Sequence, residues 1–412
     1  MPEREFRRWG EGQSNQSVNM SNHTNFNMHV PTRILFGAGQ LDHLHDQPLP
    51  GHKAMIVISN GKSTRTNGYL DRLTGLLDLA GFEYAVFDRV EPNPLKSTVN
   101  AGGEFARDHG CDFIIALGGG SCMDAAKSIA LMAANGGDYW DYIPSGTGRG
   151  LPVVRKPLPL VAITTTAGTG SEADAGTVVT NGETHEKTGF VHPDLFPVLS
   201  IVDPELMLTV PPDLTAFQGF DALFHSVEGY VSNGTNLMSD MYALTAIENI
   251  SRYLPRAVKD GEDLEARTHV AFGNTLSGYV MCVGRCTSEH SLEHAMSAYH
   301  QDLPHGAGLI MISRAYFTHL IERHVADERF IRMARAMGMP EAAEPMDFIT
   351  ALARLQEDCG VAGLRMSDYG ITPDEFGKMA ANARETMEFL FLCDRCELTA
   401  EDCVSIYRNS FK

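Results

Sequence analysis

The stretch FIIALGGGSCMDAAKSIA, residues 113–130, joins an apolar run to three glycines, a serine and an alanine-rich segment. This order is typical of a buried strand that turns directly into a helix. Glycines allow a backbone to approach a phosphate closely, and the free amides of a first helical turn favour its negative charge. The junction is therefore a candidate pyrophosphate cradle, with a plain glycine-rich turn as the alternative. Asp124 would lie in that first turn, either stabilised by the helix dipole or in contact with a ribose or amide group.

Similar apolar runs flank this strand along the chain. They are AMIVIS at 54–59, YAVFDRV at 84–90, LPLVAITTTAG at 158–168 and LSIVDPEL at 199–206. Segments with helical spacing, such as GYLDRLTGLLDLAG and LKSTVNAGGEFARDHG, separate the first of these runs. Strands that alternate with helices predict a parallel sheet wrapped by helices, which we assign to an α/β domain at residues 29–210.

The pattern changes after Pro211 and Pro212. From there to the end, apolar residues recur at helical spacing, as in YALTAIENISRYL, IERHVADERFIRMARAMG and EPMDFITALARLQEDCG. We therefore predict an all-helical domain at residues 211–412. Residues 1–28 are polar, rich in Asn and Ser and without period, which predicts a flexible N-terminal extension.

The composition argues against several classes of function. The chain has 412 residues, of which 43% are hydrophobic, and a net charge of −19. So acidic a protein lacks the clustered Lys and Arg that binding to nucleic acids or anionic membranes requires. No run of about 18 apolar residues and no signal peptide occurs, so we expect a cytoplasmic protein whose eight cysteines are reduced.

A second polar loop, TTTAGTGSEAD at 164–174, directly follows an apolar run. Its hydroxyls and backbone amides are suited to bind phosphate, ribose or a nicotinamide carboxamide without any net positive charge. A Ser/Thr-rich turn that satisfies its own backbone is the alternative. Two such loops at the ends of two strands of one sheet favour a nucleotide-binding site.

Two segments of the predicted helical domain carry candidate metal ligands. FDALFHSVEGY at 220–230 has Asp221 and His225 four positions apart, which places both on one helix face. TSEHSLEHAMSAYHQDLPHGAG at 287–308 adds four of the 16 histidines of the chain. A single Asp/His pair is more typical of a surface contact or a buried hydrogen bond. Together, the two segments supply enough nitrogen and oxygen ligands for one Fe(II) or Zn(II) ion.

Over roughly residues 30–400 the chain resembles the iron-containing (group III) alcohol dehydrogenases. The similar segments are GGGSCMDAAK, TTTAGTGSE, VLSIVDPEL, FDALFHSVEGY and the element from His290 to His305 with its PHG ending. The resemblance implies a Rossmann-like dinucleotide-binding domain followed by a helical metal-binding domain, with the active site in the cleft between them. It also implies a homo-oligomer.

Carried over residue by residue, the resemblance implies a site for a metal and a nicotinamide cofactor. The metal, Fe(II) or Zn(II), would bind to Asp221, His225, His290 and His305. His294 would lie beside the ion, near the nicotinamide. Hydride transfer would then link the nicotinamide to a small aldehyde or primary alcohol, with the proton supplied through solvent, ribose hydroxyls or His294. The cofactor, NADP(H) or NAD(H), would contact Asn93, Gly119, Gly120, Ser121, Asp124, Thr165, Thr166, Thr169, Ser171 and Lys187.

Three departures from the family pattern bear on cofactor and substrate. After the first strand, where the family often has an acid that repels a 2′-phosphate, this chain offers Ser59, Asn60, Lys62 and Arg65, so we expect NADPH to be preferred. The segment between His294 and His305 is one residue longer than in the family pattern. Arg285, five residues before His290, would suit an anionic aldehyde such as phosphonoacetaldehyde, with pairing to a nearby glutamate as the structural alternative.

Two related enzymes and one class of binding protein are the alternatives. Dehydroquinate synthase uses a glutamate as its acidic metal ligand, so Asp221 disfavours it. Glycerol-1-phosphate dehydrogenase is echoed by TSEHSLEH, but the DALFHSVEGY context agrees better with alcohol dehydrogenases. A non-catalytic nucleotide- or metal-binding protein would bind tightly without consuming NAD(P)H.

Overall fold

A computed structural model describes residues 23–412 of the chain. The strands of this part are β1 (Arg33–Phe36), β2 (Lys53–Ser59), β3 (Glu83–Val90), β4 (Phe113–Gly118), β5 (Leu160–Thr164), β6 (Gly176–Asn181), β7 (Glu186–Val191) and β8 (Leu199–Val202). Six of them form one parallel sheet in the order β1-β8-β5-β4-β2-β3. The predicted parallel sheet is confirmed, since each of the five apolar runs contributes a strand to it.

Three helices cover the two faces of the sheet. They are α1 (Tyr69–Ala80), α2 (Lys96–Asp108) and α3 (Gly120–Asn135). Leu70, Leu73 and Leu77 of α1 pack on one face, whereas apolar side chains of α2 and α3 pack on the other. β4 and β5 are buried along their whole length because helices cover both sides, which explains their continuous apolar sequence.

The remaining strands, β6 and β7, form an antiparallel hairpin outside the main sheet. This hairpin was not predicted from the sequence. Its strands, GTVVTN and EKTGFV, carry several polar residues and show no apolar alternation that would mark a strand. Most of these residues are nevertheless buried, because the hairpin packs against α2, α3 and the helical part of the molecule.

From Pro212 onward the chain is helical, as predicted. The longer helices are α4 (Pro212–Val231), α5 (Leu237–Lys259), α6 (Leu264–Val283), α7 (Ser288–Tyr299), α8 (His305–Glu322), α9 (Asp327–Ala336), α10 (Asp347–Asp358), α11 (Phe376–Thr386) and α12 (Ala400–Ser410). The segment IERHVADERFIRMARAMG is divided between α8 and α9, because His324 adopts φ 54° between them. A large hydrophobic core runs through these helices.

The sheet and the helices meet at the loop after β5. Gly170 has φ 62°, and a Cβ atom there would lie 2.6 Å from the backbone nitrogen of Gly278 in α6. The amide of Gly170 donates to Oδ1 of Asn274 at 2.8 Å. This loop therefore lies directly on the helical part, and only glycine permits so close an approach.

No helix within residues 23–412 is both long and apolar enough to cross a lipid bilayer. Of the predicted flexible extension at 1–28, residues 1–22 lie outside the described part.

Candidate active site

Asp221 and His225 lie one turn apart on the same face of α4, as their spacing predicts. Their side chains are 6% and 8% exposed, and Nδ1 of His225 is 3.5 Å from Oδ1 of Asp221. Phe220 and Phe224 alternate with them and pack in the core of the helical part. Because α4 is buried on all sides, the pair is held in the interior and not on the surface.

Two other helices bring His290 and His305 to the same carboxylate. His290 lies in the first turn of α7, and His305 begins α8 directly after Pro304. Nε2 of His290 is 3.6 Å from Oδ1 of Asp221, and Nε2 of His305 is 3.5 Å from it. The loop that holds the extra residue before His305 therefore still delivers this side chain to the cluster. Three imidazoles converge on one carboxylate oxygen.

The atoms that face one another in this cluster lack other partners. Oδ1 of Asp221, Nδ1 of His225 and Nε2 of His290 are buried and form no hydrogen bond. A buried polar atom without a partner costs about 1–3 kcal/mol, so several in one place indicate a bound group that satisfies them. Ligand atoms of Asp221, His290 and His305 lie within 4.8 Å of one another. The donor set, one carboxylate with imidazoles, fits Fe(II) or Zn(II).

The pKa shifts at Asp221 and His225 agree with this fit. Burial lowers the pKa of His225 to about 3, and the adjacent His290 and His305 contribute to the shift. Burial raises the pKa of Asp221, but the neighbouring imidazoles outweigh it and lower that pKa below the usual range. A neutral imidazole and an ionised carboxylate are the forms that bind a cation.

Glu228 orients His290. Its Oε1 accepts the hydrogen bond of Nδ1 of His290, and its Oε2 accepts from the amide and hydroxyl of Thr287 at 2.7 and 2.8 Å. Glu228 is fully buried one turn after His225 on α4. A carboxylate on Nδ1 fixes the tautomer that leaves Nε2 of His290 directed at Asp221.

Glu293 does the same for His305. Its Oε2 accepts the hydrogen bond of Nδ1 of His305 and lies 3.6 Å from Nζ of Lys187 on β7. Glu293 is fully buried, and Lys187 is 5% exposed. The carboxylate thus connects a side chain of the α/β part to a candidate metal ligand.

His294 lies beside the cluster, as predicted, one turn after His290 on α7. The centroid of its ring is 5.2 Å from that of His305 and 6.3 Å from that of His290. Its Nδ1 is 2.8 Å from Sδ of Met387. Burial, together with the charge of Lys187, lowers the pKa of His294 well below its ordinary value. At neutral pH this imidazole is therefore uncharged.

The two predicted cofactor loops pack directly against each other. Gly119 precedes the first residue of α3, Gly120, and no side chain caps this helix. Cβ atoms at Gly119 and Gly120 would lie 2.8 Å from Thr166 and 2.3 Å from Thr169 respectively. Ser121 follows in the first turn, and the amide of Thr165 donates to the carbonyl of Gly118. The uncapped amides at this helix start are suited to bind a pyrophosphate.

Asp124 and Ser171 connect the two loops through a buried network. The hydroxyl of Ser171 donates to Oδ1 of Asp124 at 3.0 Å, and Oδ2 of Asp124 accepts from the amide of Val178. Nζ of Lys127, which is fully buried, donates to Ser171 and Asp174 at 2.8 and 2.9 Å. Burial raises the pKa of Asp124 to about 7. Asp124 lies in the second turn of α3 and not in the first as predicted, because the helix begins at Gly120, and both residues are bonded within the protein.

Asn93 and Lys187, the two predicted ribose contacts, are bonded to each other. Nζ of Lys187 donates to Oδ1 of Asn93 at 3.0 Å and to the hydroxyl of Ser297 on α7 at 2.9 Å. Asn93 follows β3 with φ 52°, and its amide donates to the carbonyl of Gln301 before α8. These contacts join Asn93 and Lys187 to the helical part at Ser297 and Gln301.

Comparisons with known proteins identify the family. The sequence model of the iron-containing alcohol dehydrogenases matches residues 31–204, and that of the C-terminal part of the same family matches 215–411. The NAD-dependent methanol dehydrogenase of Bacillus methanolicus is 31% identical over 93% of this chain and 99% of its own length. The chain belongs to the iron-containing alcohol dehydrogenase family. The predicted class, an oxidoreductase acting on CH–OH groups, is thereby confirmed.

Two further relatives support the family assignment and the fold. The 1,3-propanediol dehydrogenase of Klebsiella pneumoniae is 35% identical over 87% of this chain and 92% of its own. The crystal structure of an archaeal alcohol dehydrogenase from a Red Sea brine pool superposes with a TM-score of 0.90 at 32% identity, covering 94% of this chain and 99% of that one. The predicted fold of the iron-containing alcohol dehydrogenases is confirmed: an α/β part with a parallel sheet, followed by a helical part.

Arg65 and Arg285, which depart from the family pattern, both contact other side chains in the structure. Nη2 of Arg65 donates to Oδ2 of Asp88 at 2.7 Å, so this cation already has a carboxylate partner. Arg285 is exposed, and its side chain packs beside Gly234 and interacts with the thiol of Cys393.

Three residues of this iron-containing alcohol dehydrogenase have contacts at the candidate site that were not predicted from the sequence. Glu228 and Glu293 orient metal-ligand candidates, and Lys127 joins the two cofactor loops. A signal for Glu228 was present, because positions 221, 225 and 228 share one face of a helix. The partner of Glu293 depends on the packing of α7 against α8, which spacing along the chain does not reveal.

Proposed function

We propose that this chain catalyses reversible hydride transfer between NAD(H) and a small aldehyde or primary alcohol, with a divalent metal ion bound to Asp221, His225, His290 and His305. One observation carries the proposal. Nitrogens of all three histidines lie within 3.6 Å of Oδ1 of Asp221, and this oxygen has no hydrogen-bond partner. Burial of this unpartnered carboxylate oxygen among three imidazoles would lower the free energy of unfolding if no cation were bound.

The residues of the chain would divide the work. When bound, the metal ion supplies Lewis acidity that polarises the carbonyl oxygen of the substrate. Asp221 offsets part of the charge of the ion, and Glu228 and Glu293 hold His290 and His305 in the orientation that presents Nε2. His294, as a neutral imidazole beside His305, would exchange a proton with the alcohol oxygen.

The groove between the two loops would hold the pyrophosphate of the cofactor. The amides at the start of α3, with Thr165, Thr166 and Thr169, offer hydrogen bonds without a positive side chain. Ser121, Asp124 and Ser171 complete the proposed contacts. Asn93 and Lys187 would then face the ribose on the side of the nicotinamide.

For the cofactor we propose NAD(H) as the main partner. The relative from Bacillus methanolicus is described as NAD-dependent. Binding of a 2′-phosphate by Arg65, on which the expected preference for NADPH rests, would require Arg65 to leave Asp88. Lys62, in contrast, has no carboxylate within ion-pair distance among residues 23–412 and would permit some use of NADPH.

For the substrate, small neutral alcohols and aldehydes are favoured by the names of the relatives, which act on methanol and 1,3-propanediol. The finer prediction of an anionic aldehyde such as phosphonoacetaldehyde depends on Arg285. Its guanidinium is exposed one residue before Cys286, near the cluster, but it interacts with Cys393.

We also propose that the protein is a homo-oligomer, and that each chain has two domains, at residues 29–210 and 211–412.

One assay tests the proposed reaction, the choice of nucleotide and the class of aldehyde together. Purified protein loaded with Fe(II) or Zn(II) is mixed with NADH or NADPH and a panel of neutral and anionic aldehydes, and the nicotinamide absorbance is followed. We expect oxidation of NADH with short neutral aldehydes. Oxidation only with phosphonoacetaldehyde would establish the anionic substrate, and that activity should then fall in Arg285→Ala. No oxidation of either nucleotide, despite tight binding of metal and nucleotide, would establish a non-catalytic binding protein.

A further inference from the structure

Cys286 lies between α6 and α7, four residues before His290, and its sulfur takes part in a second group of ligand atoms. Sγ of Cys286 and one nitrogen each of His225 and His290 all lie within 4.8 Å of one another. One ion with bonds of about 2.0–2.3 Å to nitrogen and sulfur spans ligand separations of this order. Around such an ion the ligand atoms lie about 3–4 Å apart, so small side-chain movements would bring all three onto a single ion.

The two histidines of this group supply an independent sign of a ligand. Nδ1 of His225 and Nε2 of His290 are buried without a hydrogen-bond partner, in side chains that are 8% and 6% exposed. Both residues also belong to the cluster around Asp221. An ion at this cluster would therefore have the Cys286 sulfur close to two of its imidazole ligands.

We propose that Cys286 is an additional, sulfur ligand of the metal in this chain. The inference rests on the proposed function, because it requires a metal at Asp221. When the ion binds, the S–H bond of Cys286 breaks, a metal–sulfur bond forms and the proton passes to solvent. The sulfur donor favours zinc over iron at a site whose other ligands suit both.

The chain offers a matched control for this ligand. Cys282 lies one turn before Cys286, near the end of α6, and its thiol donates to the carbonyl of Ala173 at 3.5 Å. It is absent from every group of possible metal ligands in residues 23–412. A Cys282→Ser variant therefore removes one nearby thiol without removing a proposed ligand.

Cobalt serves as the probe, because a thiolate bound to Co(II) gives a strong charge-transfer band in the near ultraviolet, whereas imidazole and carboxylate ligands do not. Metal-free wild type, Cys286→Ser and Cys282→Ser are titrated with Co(II), and binding is measured separately by calorimetry. We expect the band in wild type and Cys282→Ser, and its loss in Cys286→Ser, which keeps the visible bands of bound Co(II).

Two results would overturn the proposal. Wild type that binds one equivalent of Co(II) without the charge-transfer band would show that Cys286 is not a ligand, while leaving the metal site itself intact. A band that persists in Cys286→Ser would assign the sulfur to another cysteine. If calorimetry shows no Co(II) binding to wild type at all, the metal site fails, and the proposed function fails with it.

Discussion

Nζ of Lys187 lies 3.6 Å from Oε2 of Glu293, and the same carboxylate oxygen accepts the hydrogen bond of His305. Lys187 belongs to β7, next to the proposed ribose site, whereas His305 is a proposed metal ligand on α8. The pair is buried on both sides. A single carboxylate thus links the cofactor side of the active site to the metal side.

Glu293→Gln tests this link. Glutamine keeps the shape of the side chain but removes the charge that holds Nδ1–H of His305 and the ammonium of Lys187. We expect the affinity for the metal to fall by about 10- to 100-fold, as for other carboxylates behind histidine ligands. Competition with a chelator of known affinity measures this change.

Glu375→Gln is the matched control, because Glu375 contacts His300, which has no role in the metal site. Its metal affinity should equal that of wild type. Unchanged metal affinity in Glu293→Gln would mean that the carboxylate does not position His305.

His294→Ala separates a catalytic role from a ligand role. His294 is 5% exposed, and its ring lies beside His305, but the proposed ion is held by four other side chains. We expect turnover to slow by about 100-fold or more, as for loss of a proton-transfer group, while metal content stays near that of wild type. Steady-state rates and metal analysis of the same samples give both values, with His300→Ala as the control. Loss of metal in His294→Ala would make His294 a ligand and overturn the assignment.

Gly120→Ala tests the cofactor groove. A Cβ atom there would lie 2.3 Å from Cγ2 of Thr169, so one of the two loops must move and the groove must change shape. We expect NADH to bind at least tenfold more weakly, as measured by nucleotide fluorescence. The double variant Gly120→Ala/Thr169→Ser, which removes the clashing methyl group, should recover part of the affinity. Gly75→Ala, where nothing lies within 4 Å, should bind NADH like wild type; an equal loss in both single variants would contradict a local effect.

Glu172 makes the stability of the metal-free protein depend on pH. Burial raises the pKa of Glu172 from 4.5 to about 7. Between these pH values the folded state keeps a proton that the unfolded chain releases, so the free energy of unfolding falls as the pH rises. Glutamine has no such proton. The stability of Glu172→Gln relative to wild type should therefore grow from pH 4.5 to 7 by up to about 3 kcal/mol, and stay constant above.

Urea unfolding at several pH values measures this difference. Oε1 of Glu172 accepts hydrogen bonds from Asn274 and Thr275 at 2.9 and 2.8 Å, which a glutamine oxygen can also accept. Glu357→Gln, on the exposed face of α10, is the control and should follow wild type at every pH. A relative stability of Glu172→Gln that does not change with pH would show that Glu172 is ionised in the folded protein.

The sequence predicted those elements that are marked by a pattern of residues close together along the chain. The run at 113–130 shows the strand, the glycine turn and the helix, because apolar burial and the turn depend on adjacent residues. Asp221 and His225 are recognisable because a helix places positions four apart on one face. Their agreement with His290 and His305 came from the resemblance to a family, not from spacing.

Interactions between distant segments were not predictable in the same way. The bond between His290 and Glu228 joins positions 62 apart, and that between Lys187 and Ser297 joins positions 110 apart. The hairpin of β6 and β7 escaped prediction because its buried residues are largely polar. The expected preference for NADPH counts Arg65 as an available cation, and the sequence does not reveal that Asp88 on β3 lies beside it.

The central claim is that a metal held by Asp221 is required for hydride transfer, and removal and return of the metal test it most directly. Wild type, Asp221→Asn and the control Asp213→Asn, in the exposed first turn of α4, are treated with a chelator, dialysed and resupplied with Fe(II) or Zn(II). NADH oxidation with a short aldehyde is then measured. Wild type and Asp213→Asn should lose activity and regain it with the metal, whereas Asp221→Asn should stay inactive. Full activity of metal-free wild type, or recovery of Asp221→Asn to the level of wild type, would contradict the claim.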